Sequence, residues 1–194
     1  MEPYRFSFTA ANAMPSEFVK LAIAIIDGKS IEEVDPTLIG REKKVTHIRE
    51  FRELKHRIKN LTSPQIELLA EGTHDQQLHI THLALCKTYH IYRDFVTEVL
   101  AEKIQLFDYS ITDLDYNSFI SKKKVDHPEL DELAHSTQKK VKQVIYRMLD
   151  QVELIDSSKN PTLHTPTLDE KTEQAIIQDD PKLLRCFLYV HNTN

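Results

Sequence analysis

The sequence has 194 residues, with 25 Lys and Arg against 30 Asp and Glu, so its formal charge is −5 with histidine neutral. It contains only three glycines, none of them clustered, which excludes the glycine-rich loops of dinucleotide-binding and P-loop enzymes and the nucleophile elbow of hydrolases. A hydrophobic share of 40% and a charged share of 28% are typical of a globular protein.

Nothing in the sequence predicts insertion into a membrane or secretion. The longest apolar run, 21–26, is far shorter than the roughly 20 residues of a membrane span. The opening MEPYRFSF has no basic region followed by an apolar one, so we expect no secretory signal. Cys86 and Cys186 belong to no C-x-x-C pair, which favours a reduced, cytoplasmic setting.

The first 107 residues are predicted to form an N-terminal helical domain, 1–107. Tyr4, Phe6 and Phe8 alternate with polar residues, which predicts a short strand or extended arm. The stretch 15–60 then shows a long helix, a short capped helix and an amphipathic helix, the order of a helix-turn-helix-like unit. A further helix is predicted to end at Gly72.

The longest periodic stretch begins after Thr73, which forms a capping box with Gln76, and continues to about residue 107. Its apolar residues cover much of the circumference, which predicts a buried central helix. We expect a bend near Tyr89.

The pattern changes after residue 107, and we predict a C-terminal domain at 108–194. Three helices begin at Thr112, Pro128 and Ser136, and two short extended runs around a polar turn follow them. Three helices and a hairpin are the order of a winged helix, here closed by two further short helices. The fold class predicted for the chain is mainly α, a helical bundle with a helix-turn-helix-like N-terminal unit and a winged-helix-like C-terminal unit.

Positive charge is segregated on the predicted amphipathic helix of the N-terminal half. Residues 41–59 contain eight Lys or Arg and three Glu. Arg49, Arg52 and Lys59 fall on one helical face and are candidate contacts to nucleic acid. Glu53 and Arg57 have the spacing of an exposed ion pair, which we interpret as serving solubility.

A second basic face is predicted on the helix that begins near Ser136. Cations contact phosphates, whereas glutamine and arginine can reach base edges. Ser136 and Thr137 at the helix start would offer hydroxyls and free backbone N–H groups to a phosphate, and Lys159 on the hairpin turn would reach a neighbouring phosphate. Lys139, Lys140, Gln143, Tyr146 and Arg147 share this face, and we predict that Lys139, Lys140, Gln143 and Arg147 bind.

The sequence gives no argument for an enzyme. Ser-x-x-Lys spacings at Ser121 and Ser136 lie in exposed cationic runs where nothing would lower a lysine pKa. Zinc-binding residue types recur along one helix at His79, His82, Cys86 and His90. Because one helix side usually supplies only two ligands, we favour structural roles for them and expect no catalytic residue, metal, cofactor or small-molecule substrate.

Three stretches are similar to those of one family: YRFSFT at 4–9, the run 94–103 and the run 136–149. They resemble BrxA, the small subunit of bacteriophage-exclusion (BREX) defence systems, over nearly the whole chain. The resemblance implies a cytoplasmic, mostly helical, non-enzymatic protein that binds nucleic acid beside a methyltransferase, a phosphatase-like protein and ATPases. The family has been likened to the antitermination factor NusB and sometimes labelled an inner-membrane protein, and this sequence has no span to support that label.

Two functions of different classes follow. In the first, the basic faces hold double-stranded DNA without strong sequence specificity, with RNA as a possible ligand. In the second, the same faces hold an acidic protein partner, and the protein is an adaptor that assembles the complex with other BREX proteins. Steep weakening of binding by salt would favour the first.

Overall fold

The computed structural model describes residues 3–40, 44–157, 159 and 161–189. The α-helices of this part are α1 (Pro15–Ile26), α2 (Lys44–Ile58), α3 (Ser63–Glu71), α4 (His74–Thr88), α5 (His90–Asp94), α6 (Ala101–Gln105), α7 (Asp113–Lys123), α8 (His135–Gln151) and α9 (Glu170–Ile177). Shorter 3-10 helices occur at Ser7–Ala10, Pro36–Ile39, Pro128–Leu130 and Pro181–Phe187. The prediction of a mainly α fold is confirmed.

Capping residues fix where several helices begin. Thr73 and Gln76 form the predicted capping box at the start of α4, since the Thr73 N–H donates to Gln76 Oε1 at 2.9 Å and the Gln76 N–H donates to Thr73 Oγ1 at 3.3 Å. Thr112 forms the same reciprocal pair with Asp115 before α7. These caps satisfy backbone N–H groups that have no partner within the helix.

The central helix is broken at Tyr89, as predicted. Tyr89 has extended backbone angles, φ −121° and ψ 98°, between α4 and α5. A π-helical section, Phe95–Leu100, then joins α5 to α6. Phe95 is fully buried in this section and packs its ring 5.3 Å from that of Phe119, so this section contacts the second half of the chain.

The segment before α1 is not the predicted strand. Ser7–Ala10 is a 3-10 helix that packs against α2 and α8, and no neighbouring strand is present to pair with it among the described residues. The alternation of aromatic and polar residues at 4–9 reflects packing of the aromatic rings against the rest of the chain. Tyr4 stacks on His127 at 3.7 Å between ring centres, and Phe8 packs 5.2 Å from Tyr89.

The interpretation of Glu53 and Arg57 as an exposed pair is wrong. Arg57 is fully buried, and its guanidinium donates to the carbonyl oxygens of Ala11 and Ala13 at 2.7 and 2.8 Å. The Glu53 carboxylate accepts from the Tyr89 hydroxyl at 2.8 Å. Helical spacing could not show that a segment more than 40 residues away covers this face.

The short second helix predicted between α1 and α2 also differs. Ser30 bonds with Glu33 but begins only a turn. Pro36 starts the Pro36–Ile39 3-10 helix, and the Asp35 carboxylate accepts from the Thr37 N–H at 2.7 Å. The interpretation of 15–60 as a helix-turn-helix-like unit stays a prediction.

Residues 154–156 and 161–164 approach each other as the predicted hairpin requires. An antiparallel bridge pairs Ile155 with Leu163, and a second bridge pairs Ser110 with Thr162. The strand character within the described residues is limited to these bridges. The winged-helix interpretation of this unit stays a prediction.

The closing helices pack on the first half of the chain. Helix α9 contacts α3 and α4, and Pro181–Phe187 contacts α4 and the π-helical section. The buried apolar core is continuous across residue 107, so the division into domains at 1–107 and 108–194 stays a prediction. Among the residues that the structure describes, no helix has the length and apolar character needed to cross a membrane.

Candidate nucleic-acid interface

Helix α8 is amphipathic, and this orients the predicted binding residues. Its apolar side chains point into the core. The predicted contacts Lys139, Lys140, Gln143 and Arg147 are all exposed. Tyr146 was predicted on the same face but is buried, because only 6% of it is exposed and its hydroxyl donates to the Thr112 carbonyl at 3.4 Å.

Four of the predicted residues line one groove. The groove has a volume of about 900 Å³ and lies between α8, the segment 111–113 and the hairpin. Lys139, Gln143, Arg147 and Lys159 all contribute to its wall. Lys140 stands on the same helix outside the lining, with its Nζ 3.5 Å from Gln143 Oε1. We call this cavity the α8 groove.

Backbone pairing brings the hairpin to the groove. The Ile111 N–H donates to the Pro161 carbonyl at 3.0 Å, and the Leu163 N–H donates to the Tyr109 carbonyl at 2.7 Å. Residues 161–163 are therefore held between 109–111 on one side and 154–156 on the other. This arrangement sets Lys159, 12 residues beyond Arg147 in the sequence, across the groove from α8.

The α8 groove carries four cations and two carboxylates. The cations are Lys139, Lys142, Arg147 and Lys159, and the carboxylates are those of Asp113 and Asp150. Lys142 was not predicted from the sequence, and its Nζ lies 2.6 Å from Asp113 and within 5.8 Å of the ring centres of two buried tyrosines. The helical pattern places Lys142 at the edge of the apolar face, so only the tyrosines and Asp113 reveal that it faces the groove.

The predicted phosphate site at the start of α8 needs correction. Ala134 is the N-cap residue, and Ser136 already lies inside the helix. The Thr137 N–H donates to the Ala134 carbonyl at 2.8 Å, so this group is not available to a phosphate. Ser136 is exposed, but neither Ser136 nor Thr137 lines the α8 groove.

The candidates on α2 occupy a separate surface. Arg49, Arg52 and Lys59 are exposed, and the last two line a groove of about 410 Å³. Lys59 Nζ pairs with Glu32 at 3.2 Å. Burial and the neighbouring Arg5 guanidinium lower the pKa of His56 in this groove, which favours its neutral form.

The zinc-type residues of α4 have structural contacts. His82 is fully enclosed, and we assign its Nε2 as donating to the Cys186 carbonyl at 2.8 Å while its Nδ1 accepts from the Tyr92 hydroxyl at 3.0 Å. The Cys86 thiol is buried against Cys186, and burial raises its pKa. Within the described residues, no group of three or more His, Cys, Asp or Glu side chains is placed to hold a metal ion.

The fold also occurs in another protein of known structure. The structure resembles the crystal structure of an uncharacterized protein from Magnetospirillum magneticum with a TM-score of 0.82 and 16% sequence identity, covering 96% of this chain and 98% of that chain. At this identity the likeness shows the fold alone. No curated protein that was compared matches the sequence significantly.

A family model described as BrxA matches residues 2–180. The chain therefore belongs to the BrxA family. Membership makes the protein a component of a BREX phage-defence system.

Proposed function

We propose that this protein is a non-enzymatic, cytoplasmic BREX component that holds double-stranded DNA in the α8 groove. The observation that carries the proposal is the convergence of Lys139, Gln143 and Arg147 with Lys159, from separate segments, on one groove. Cationic side chains on both walls suit a polyanion, and a helix beside a hairpin is a geometry that many DNA-binding domains use.

The spacing of the helix residues suits a nucleic-acid backbone. Lys139 and Arg147 are two turns apart, about 12 Å along the helix axis, which is the rise of roughly three to four nucleotides of one strand. Gln143 lies between them and can reach base edges. Because most of the groove's donors are simple cations, we expect contacts to phosphates to dominate and sequence specificity to be weak.

The chemistry of the groove supports a non-enzymatic role. Lys139 and Lys159 are exposed, whereas a nucleophilic lysine needs a desolvated or cationic site that lowers its pKa. Burial raises the pKa of Tyr146, and Asp113 and Asp115 raise it further, so its hydroxyl stays protonated. Thr112 is engaged as the cap of α7.

Replacing Lys139, Lys140 and Arg147 together by Ala tests the proposal. We expect lower affinity for duplex DNA and a salt slope that is shallower by up to about three, one for each lost phosphate contact. The fold should persist, because exposed substitutions usually change stability by no more than about 0.5 kcal/mol each. Mobility-shift titrations with duplex DNA, single strands and RNA at about 50 and 200 mM salt measure both quantities.

Two further triple variants complete the experiment. Replacing the exposed Lys122, Lys171 and Lys182 by Ala removes the same charge away from the groove and should leave binding unchanged. Replacing Arg49, Arg52 and Lys59 by Ala tests the α2 surface. If only the α2 variant loses binding, DNA lies on α2; if neither basic face matters, the DNA proposal is wrong and the adaptor function replaces it.

A further inference from the structure

Residues 106–109 form an exposed apolar tip between α6 and α7. Leu106 is 69% exposed, Phe107 80% and Tyr109 43%. Leu114, in the first turn of α7, adds a further side chain at 73%. Three large apolar side chains within four residues form a cluster, and such exposed clusters mark interaction sites more often than scattered single residues do.

The backbone of this tip is held in one conformation. The Phe107 N–H donates to the Ile104 carbonyl at 3.1 Å and the Asp108 N–H donates to the Lys103 carbonyl at 2.9 Å, the two bonds of a Schellman motif. Lys103 Nζ pairs with the Asp108 carboxylate at 2.6 Å. The Tyr109 carbonyl also accepts the bond from Leu163. The side chains are thus presented on a fixed support.

Phe107 occupies a position that glycine fills at lower cost. Its φ is +56°, in the left-handed region, and it follows the last residue of α6 by two positions, where a Schellman motif usually has glycine. A bulky residue there is strained. Since the side chain is 80% exposed, packing in the core does little to offset this strain. Backbone strain of this kind is found at functional positions.

The charge around the tip is opposite in sign to that of the α8 groove. Residues 102–115 contain four acids and one cation, Lys103. Asp113 belongs to the α8 groove and pairs there with Lys142, so the acids that surround the tip are Glu102, Asp108 and Asp115. Lys103 is itself paired with Asp108 and Asp115, at 2.6 and 3.3 Å. Acidic surroundings repel DNA phosphates but attract lysine and arginine. The tip and the groove therefore select different ligands.

We infer that the apolar tip is a docking surface for another protein of the defence system, with Phe107 entering an apolar pocket bordered by Lys or Arg residues. The acidic surroundings of the tip select the cationic border, and the exposed aromatic ring on its fixed backbone provides the anchor that dominates such interfaces. The protein binds this partner through the tip while the α8 groove stays free.

Phe107→Gly tests the inference without risking the fold. Each purified BREX component is titrated against the full-length chain by calorimetry, and we expect one of them to bind the wild type and to bind F107G about 30-fold or more weakly. F107G should melt about 2–4 °C higher, because glycine relieves the left-handed strain. Its affinity for duplex DNA should not change. Val125→Ser is the matched control, since Val125 is 82% exposed elsewhere on the surface.

Reversing a charge tests the selection of the partner. Glu102→Lys, at an exposed position of α6, should weaken binding of the same component and reduce its salt dependence. The inference is overturned if no component binds the wild type, or if F107G binds its partner normally. It is also overturned if F107G loses affinity for DNA, which would make Phe107 a base-stacking residue, or if the tip proves to mediate association of two copies of this chain. Loss of DNA binding by the Lys139, Lys140 and Arg147 variant is a separate result and does not bear on the tip.

Discussion

Arg57 is a buried cation whose interactions lie within the first half of the chain. Its Nε donates to the Tyr89 hydroxyl at 3.0 Å, and that hydroxyl donates onward to Glu53. The Glu53 carboxylate also accepts from Ser7 and pairs with Arg5. Burial raises the pKa of Tyr89 to about 12, so the hydroxyl remains a donor in this network. The group holds the segment before α1 against α2 and the break in the central helix.

Removing the Arg57 guanidinium should destabilise the protein severely. Arg57→Met keeps much of the apolar stem but leaves the Ala11 and Ala13 carbonyls and the Tyr89 hydroxyl with fewer partners. Because each buried carbonyl that loses its partner costs about 1–3 kcal/mol, we expect urea denaturation to show a free energy of unfolding that is lower by about 2–6 kcal/mol. Arg52→Ala, exposed on the same helix, should change it by no more than about 0.5 kcal/mol. Equal stability of the two variants would refute the structural role of Arg57.

At the scale of elements, Gly72 determines how closely α3 and α4 join. A Cβ added there would lie 2.3 Å from the Leu68 carbonyl oxygen and 2.9 Å from Gln76 Cβ. The φ of Gly72 is −71°, which any residue can adopt, so the constraint is steric. The Gly72 N–H also closes α3 by donating to Leu68 at 3.0 Å.

Gly72→Ala should therefore separate the two helices. We expect a loss of about 1–3 kcal/mol, the usual range for overpacking, together with weaker amide protection at the start of α4 in hydrogen exchange. Gly40→Ala provides the comparison, because Gly40 has open space around it but a φ of +67°. It should lose stability through backbone strain alone, without loss of protection in α4. Unchanged protection in Gly72→Ala would contradict the steric argument.

The sequence predicted elements where their signals are local. Capping residues located the starts of α4 and α7, and Gly72 marked the end of α3. The π-helical section and the 3-10 form of residues 7–10 had no such signal, because tertiary packing determines both. Ser136 was misplaced as a cap because Ala134, with no side-chain acceptor, holds that position.

At the scale of the whole molecule, His82 joins the central helix to the end of the described chain through Cys186. Burial lowers the pKa of His82 to about 4, below its usual value of about 6.5. The unfolded chain therefore binds more protons than the folded chain between these two values. Stability must fall as the pH falls through this window.

We expect His82 alone to reduce the free energy of unfolding by about 2 kcal/mol between pH 7 and pH 5. Denaturant titrations at the two pH values measure the difference. His82→Gln should be less stable at pH 7 but should lose most of this pH dependence. A wild-type slope that survives in H82Q would assign the effect to other groups, such as His79, whose pKa burial also lowers.

The sequence predicted which side chains of α8 are exposed, but not which other segments meet them to form the α8 groove. Exposed cations on α8 follow from its amphipathic pattern, and the three that were predicted there, Lys139, Lys140 and Arg147, are exposed. Their meeting with Lys159 depends on the pairing of 161–163 with 109–111, which no local pattern encodes. The apolar tip escaped notice because Leu106 and Phe107 look like core residues of a helix until the chain turns at the end of α6.

The contacts of residues 4–13 have a consequence for the order of folding during synthesis. The Tyr4 N–H bonds to Glu129, and the Ala13 N–H bonds to Gln151 at 2.9 Å, across separations of 125 and 138 residues. These residues leave the ribosome long before their partners exist. Helices α1 to α4 can associate early, but the packing of residues 7–10 against both α2 and α8 is complete only when α8 has emerged. Until then the nascent chain exposes aromatic surface, so a translational pause before α8 would lengthen the period in which it is vulnerable to aggregation.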